Sequence, residues 1–237
     1  MALLPILYLA LLAVAGTAQQ HPQLHQQQHQ QPLKDTFDLI SALKTAEIIP
    51  NIIDTFTPKL TLNISWKHAT ASTGNTVDPQ DLQEPPNITL STYNSAIASP
   101  DDSLRHEVAK LKDMQLTLAL TDPDAPSHTN PEWSEMCHWI TTLPPPNTAT
   151  TTVAHKEWSA IMPYKPPGPP PKTGKHRYVF VLLAPSNRTT EPLDLTLPGN
   201  RQYWGYGKKG EGVRRWAGEN GLFVIGANFV YAQNAEQ

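Results

Sequence analysis

Arg177-Tyr178-Val179-Phe180-Val181-Leu182-Leu183 is an unbroken run of apolar, β-branched and aromatic residues behind a single arginine. It reads as a strand buried at the centre of a sheet. Outward from it, Leu60-Thr61-Leu62-Asn63-Ile64-Ser65-Trp66 and Gln115-Leu116-Thr117-Leu118-Ala119-Leu120-Thr121 alternate apolar and polar residues, the period of a half-buried strand. Leu222-Phe223-Val224-Ile225 and Ala227-Asn228-Phe229-Val230-Tyr231 complete the strands, parted by Gly226. Helical signals are few and short. Phe37, Ile40 and Leu43 share one side of residues 35–46, with Asp35 as N-cap and Pro50 ending the element. Residues 101–107 read as a short exposed helix. Residues 212–220 read as another, with Val213, Trp216 and Ala217 inward and Gly221 as its stop. Residues 68–86 carry the turn signals Gly74-Asn75, Asp78-Pro79 and Pro85-Pro86 and read as loop. Strands dominate, lie far apart in sequence and do not alternate with helices. That pattern predicts a mainly β sandwich or Greek-key body with a few short helices, and excludes a doubly wound sheet.

The chain has 237 residues, 39% of them hydrophobic, enough for one domain with a sizeable core. Its net charge of -3 excludes the whole-protein basic field that gathers nucleic acid. Residues 1–18 read as a signal peptide: an apolar run too short to span a bilayer, closed by Ala15-Gly16-Thr17-Ala18. Residues 19–34 are Gln- and His-rich and are expected to be disordered. Within them His21, His25 and His29 recur at helical spacing, which fits either a transition metal or a solvated tail, and no metal site is assigned. Residues 35–237 are expected to form the folded domain. Three Asn-x-Ser/Thr sequons, at Asn63, Asn87 and Asn187, agree with export. Asn63 falls in a strand and is expected to be poorly accessible, whereas Asn87 and Asn187 lie among turn residues. The expected location is extracellular, with at most peripheral membrane contact. Cys137 is the only cysteine, so no intramolecular disulfide forms, and its bland reading is a small buried side chain.

The residues that suggest chemistry begin where the second strand ends, at Asp122-Pro123-Asp124-Ala125-Pro126-Ser127. Two prolines stiffen a turn that presents two carboxylates. His138 sits in the apolar stretch Met136-Cys137-His138-Trp139-Ile140. His176 opens the central strand after Pro166-Pro167-Gly168-Pro169-Pro170-Pro171-Lys172-Thr173-Gly174. Imidazole N–H groups suit a phosphate or a carboxylate, and aspartates can hold each ring in one tautomer. The expected arrangement is the Asp122/Asp124 pair orienting and charging the His138/His176 pair, with loop amides completing an anion site. An ammonium on a zwitterionic ligand would meet an aspartate. Catalysis has less support. Ser127 lacks a Gly-x-Ser-x-Gly setting, and Cys137 and His138 are strand neighbours that point to opposite faces.

These segments resemble the phosphatidylethanolamine-binding protein family. The resemblance is carried by Asp122 to Ser127, by Glu135-Met136-Cys137-His138 with Trp139, and by Tyr164, Gly168-Pro169-Pro170 and His176 to Phe180. Glu47-Ile48-Ile49-Pro50 with Phe56-Thr57-Pro58, and the stretch from Trp216 to Phe229, extend it from about Asp35 to Gln233. It implies a large central antiparallel sheet packed on a smaller one. It also implies a surface pocket for phosphate-like groups such as phosphorylethanolamine, lined by Asp122, Asp124, Pro126, His138, Gly168, His176 and Tyr178. The family implies a non-enzymatic binder with no cofactor. The stretch Trp133 to His138 is most similar to fungal members that resemble carboxypeptidase Y inhibitor, which implies a serine carboxypeptidase as an alternative partner.

Overall fold

In a computed structural model of the protein, residues 38–92, 102–146 and 150–237 are described. They form two packed β-sheets with short helices on the outside. The larger sheet has the order β2 (Asn75–Val77), β9 (Leu222–Ala232), β8 (His176–Pro185), β4 (Leu116–Asp122), β5 (Met136–Leu143), β7 (Ser159–Met162). Its neighbours are antiparallel except β2 and β9, which run parallel. The smaller sheet is antiparallel, in the order β1 (Leu60–Ser65), β3 (Asn87–Thr92), β6 (Thr150–Val153). This is the mainly β sandwich that the strand pattern predicts.

The large sheet buries both faces. Between the sheets, Leu62, Ile64, Ile88 and Leu90 meet Leu118, Leu120, Phe180 and Leu182. On the far face, Ala119, Val179, Val181 and Phe229 are covered by Leu43, Ile48, Ile53, Trp204 and Trp216. A central strand with two apolar neighbour layers needs apolar residues at every position, which explains the unbroken run in β8. It also corrects the reading of β4: its Thr117 and Thr121 alternate in sequence but are as buried as its leucines. β1 has one solvated face and keeps its alternation in burial.

Several local expectations change. The two carboxy-terminal strands are one, β9, running through Gly226. A Cβ on Gly226 would lie 2.6 Å from the Leu60 carbonyl oxygen, so this glycine marks a close approach between the sheets rather than a turn. Residues 68–86 are not all loop; they hold β2 and a 3-10 turn at Pro79–Leu82. β3, β6 and β7 are short strands at sheet positions that the apolar runs do not reveal. Asn87, expected among turn residues, is the first residue of β3. Residues 38–45 are helical, but the helix stops at Thr45, before Pro50, and Glu47 takes a left-handed φ of 54°. Helices Asp102–Lys110 and Val213–Glu219 match expectation, the second with Val213, Trp216 and Ala217 buried. Asn63, Asn87 and Asn187 are all exposed, so Asn63 is more accessible than expected from its strand position. Asp35, the apolar start and the Gln/His-rich stretch lie outside the described residues. No helix among the described residues is long and apolar enough to cross a membrane.

Candidate functional site

β4, β5 and β8 bring Asp122, His138, His176 and Tyr178 together at one end of the layer between the sheets. Asp122 is the last residue of β4 and His176 the first of β8. Tyr178 lies two residues on and so shares the face of His176. His138 arrives by a different device. Leu120 pairs with Trp139 and Thr121 with Cys137, so His138 is the extra residue of a β-bulge in β5. The bulge breaks strict alternation: Cys137 packs into the far layer, while Trp139 packs between the sheets. His138 shares the side of Trp139, where its ring meets the Tyr178 ring edge-on at 5.2 Å between centroids.

One carboxylate serves both imidazoles. Asp122 Oδ2 accepts from His176 Nδ1 at 2.9 Å and lies 3.9 Å from His138 Nε2. Asp122 Oδ1 accepts the Asp124 amide at 2.7 Å, which fixes the carboxylate. His138 Nδ1 donates to the Lys165 carbonyl at 2.8 Å. In the neutral ring, Nε2 is then a bare lone pair that faces Asp122. His176 Nε2 lies 3.1 Å from Thr173 Oγ1, whose hydroxyl also donates to the Pro170 carbonyl. Gly168 N–H donates to the Tyr178 hydroxyl at 3.3 Å. All four side chains are closely covered: Asp122 is 2%, His138 4%, His176 1% and Tyr178 1% exposed. Gly168 is exposed and Pro126 half-buried at the rim.

Charge states follow from this burial. Desolvation holds the His138 pKa below the usual imidazole value, and the charges of Lys165 and Arg201 add to that effect; the Asp122 charge and the hydrogen bond to the Lys165 carbonyl oppose it without prevailing. Burial, then the Asp122 charge, pushes the Tyr178 hydroxyl far above its ordinary value, so it remains a neutral donor.

Asp124 does not join the imidazole pair, contrary to expectation. Its carboxylate turns to the other face and receives Arg177: Nε to Oδ2 at 2.9 Å, Nη2 to Oδ1 at 2.6 Å, and the Arg177 amide to Oδ2 at 2.7 Å. His128 adds a contact from the exposed side at 3.0 Å. Arg177 is missed by the sequence reading, although strand alternation between His176 and Tyr178 places it on the opposite face; His128 carries no motif that marks it. The supporting carbonyls of Pro170 and Lys165 have no sequence signal, because main-chain acceptors occur at every residue. Cys137 is fully buried, and burial pushes its thiol up to about 12, so it is a poor nucleophile. Ser127 Oγ bonds Thr129 Oγ1 at 3.1 Å and the Thr173 carbonyl at 3.4 Å rather than an imidazole. A cavity of about 640 Å³ lies away from this cluster, lined in part by Ile53, Phe56, Lys59, Arg214 and Phe223.

Beneath the site, on the far face, Glu135 is buried with its Oε2 accepting from Thr121 Oγ1 at 2.9 Å and from the Val213 amide at 3.3 Å. Gly212 packs so closely that a Cβ there would sit 2.2 Å from the Glu135 carboxyl carbon. Desolvation raises the Glu135 pKa from 4.5 to about 7, against those two hydrogen bonds. The folded chain therefore holds a proton that the unfolded chain has released between these values. Stability from this group is complete below pH 4.5 and is lost as pH rises to 7, by about 3 kcal/mol for a shift of this size. Glu135→Gln is expected to remove this component from denaturation midpoints measured across that window. An unchanged difference between the two ends of the window would reject the assignment.

The geometry can be set beside known proteins. The family model described as phosphatidylethanolamine-binding protein matches residues 53–230. Carboxypeptidase Y inhibitor of Saccharomyces cerevisiae is 32% identical over 209 residues, covering 82% of this chain and 94% of the relative. Protein FLOWERING LOCUS T of Arabidopsis thaliana is 28% identical over 160 residues, covering 68% of this chain and 75% of the relative. Among solved structures, carboxypeptidase Y inhibitor complexed with its cognate proteinase superposes with a TM-score of 0.69 at 28% identity, covering 84% of this chain and 96% of that one. The phosphatidylethanolamine-binding protein from Plasmodium vivax shares the fold, with a TM-score of 0.62 at 20% identity over 82% of this chain and 97% of that one. With a family model spanning most of the folded body and a relative matched along nearly its whole length, the chain belongs to the phosphatidylethanolamine-binding protein family.

Proposed function

We propose that this protein is a non-enzymatic binder that recognises a phosphate-like group, such as the phosphorylethanolamine headgroup, through Asp122, His138, His176 and Tyr178, with Pro126 and Gly168 at the rim. The observation that carries this reading is the convergence of two imidazoles from β5 and β8 on one carboxylate. Among the described residues His138 Nε2 has no partner nearer than Asp122 at 3.9 Å, so it is free to take a proton and donate to a ligand oxygen. Tyr178 supplies a neutral hydroxyl beside it. Asp122 offers the ammonium of a zwitterionic headgroup its counter-charge. Asp124 contributes by fixing the turn through Arg177 rather than by touching ligand. The apolar start and three exposed sequons support export to the extracellular space.

A second reading is favoured by the similarity to carboxypeptidase Y inhibitor along 94% of that relative. On this reading the chain inhibits a serine carboxypeptidase through a surface separate from the buried cluster. Calorimetric titration with phosphorylethanolamine tests the first reading, with His138→Ala expected to abolish the binding heat. Steady-state inhibition of a purified serine carboxypeptidase tests the second, and there His138→Ala is expected to leave inhibition intact. Equal heats from the wild-type and His138→Ala proteins would remove the anion site. Absence of inhibition would remove the protease reading.

A further inference from the structure

Arg201, a side chain from a distant loop, braces the backbone of the bulge that brings His138 into the site. Arg201 Nη1 donates to the Cys137 carbonyl at 3.1 Å and to the His138 carbonyl at 3.0 Å. Its Nη2 donates to the Pro163 carbonyl at 2.8 Å. The Arg201 carbonyl in turn accepts the Cys137 amide at 2.8 Å, and Gln202 bridges to Met136. Arg201 therefore ties together the bulged strand and the segment that leads to Lys165. Lys165 is the residue whose carbonyl accepts His138 Nδ1–H and whose amide donates to the His138 carbonyl at 2.8 Å. The guanidinium therefore holds the His138 backbone directly and approaches its acceptor through Pro163, two residues before Lys165.

The charge of Arg201 is also unusually available. Among the described residues no carboxylate lies within salt-bridge distance of it, and all three of its side-chain bonds go to neutral carbonyls. A planar fork that bonds three carbonyls on two segments is a task for arginine that lysine cannot reproduce. We infer that Arg201 is a positioning residue for ligand recognition: it locks the His138 bulge and the Lys165 carbonyl in the geometry that aims His138 Nε2 into the site. The inference rests on the anion-binding reading above, but the orientation it assigns to His138 is testable without any ligand.

The groups around His138 are Asp122, Tyr178, Lys165 and Arg201, with His176 on the far side of the shared Asp122 carboxylate. Of these only Arg201 is altered in the test. Long-range proton–nitrogen NMR of the imidazoles reports tautomer and titration for His138 and His176 separately. In the wild-type protein, the neutral His138 ring is expected as the Nδ1–H tautomer. In Arg201→Met, loss of a nearby cation moves the His138 titration midpoint upward, and the Nδ1–H tautomer is no longer held. The His176 tautomer, which Asp122 holds, is expected to stay. Phosphorylethanolamine affinity measured by calorimetry is expected to fall about tenfold, the equivalent of one hydrogen bond to a charged group. A purely structural role would lower the melting temperature and leave the His138 signature unmoved, which would overturn the inference. If Arg201→Met does not fold, Arg201→Lys decides: it keeps the cation but not the fork, so the His138 tautomer is expected to loosen. An unmoved His138 tautomer in the lysine variant would overturn the inference. If wild-type protein binds no phosphorylethanolamine, the anion reading fails, and the imidazole spectra still decide what Arg201 does.

Discussion

Arg177→Met is expected to lower the stability of the fold by about 3–5 kcal/mol, measured by chemical denaturation near neutral pH. The Asp124 side chain is 2% exposed and that of Arg177 is 12% exposed. The guanidinium closes a two-pronged pair with the carboxylate and also reaches the Ala46 carbonyl at 2.7 Å, tying the β4–β5 turn to the segment behind the amino-terminal helix. Removing it strands a buried carboxylate. Burial pushes the Asp124 pKa up, but the hydrogen bonds and charge of Arg177 together outweigh it and hold the value below the ordinary 3.8. In the wild-type protein this contribution is therefore present above that ordinary value and is lost as pH falls through the lower folded value. In Arg177→Met the restraint is gone, burial alone acts, and Asp124 takes up a proton more readily. The deficit of the variant is then expected to shrink as pH is lowered. The double variant Asp124→Leu with Arg177→Met is expected to recover much of the loss, because no charge is left unpaired. A single-variant loss below about 1 kcal/mol, the range of an exposed pair, would contradict this account.

Asp122→Asn is expected to weaken phosphorylethanolamine binding by about a hundredfold, consistent with the loss of a charge-assisted hydrogen bond to His176 together with the counter-charge for an ammonium. Inorganic phosphate separates the two contributions. It has no ammonium, so its affinity is expected to fall less than that of phosphorylethanolamine. The same pair of probes reads the pH dependence. Neutral His138 presents a lone pair at Nε2, because Nδ1 donates to Lys165. An anion bonded there requires a proton taken up on binding. Burial keeps His138 below the usual imidazole value in the free protein. Phosphate affinity is therefore expected to fall as pH rises above the lowered His138 value of the free protein, by up to about tenfold per pH unit for one proton. Calorimetry in two buffers of different ionisation heat gives the proton count directly. A count of zero at a pH where the phosphate is fully ionised and free His138 is neutral would show that His138 does not bind as imidazolium.

Much of this architecture is written in β8, where two apolar neighbour layers demand an apolar residue at every step. β1 is equally plain because one of its faces is solvated. β4 is only half legible: Thr117 and Thr121 look like a solvent face and are buried instead. Thr121 is there because it can serve Glu135 and Trp204. β6 and β7 escape notice because four-residue strands bury too few side chains to leave a period, and β3 is masked by the turn residues Pro85-Pro86-Asn87 at its start. The site is legible where strand ends carry polar residues, as at Asp122 and His176. Asp124 is misassigned to the imidazoles because a turn sequence does not say to which face its second carboxylate points; Arg177 settles that through the alternation of β8. His138 is legible as a residue but not as a bulge. Arg201 lies 63 positions beyond His138, and nothing local to it announces its partners.

Anion recognition requires a phosphate-like group to enter the cluster of Asp122, His138, His176 and Tyr178. A crystal structure of the protein with phosphorylethanolamine at about pH 5.5, below the ordinary imidazole value, tests it most directly. A phosphate oxygen is expected within hydrogen-bonding distance of His138 Nε2, with the Tyr178 hydroxyl beside it. Phosphorylethanolamine seated instead in the cavity lined by Phe56, Lys59 and Phe223, with the four side chains unmoved, would contradict it.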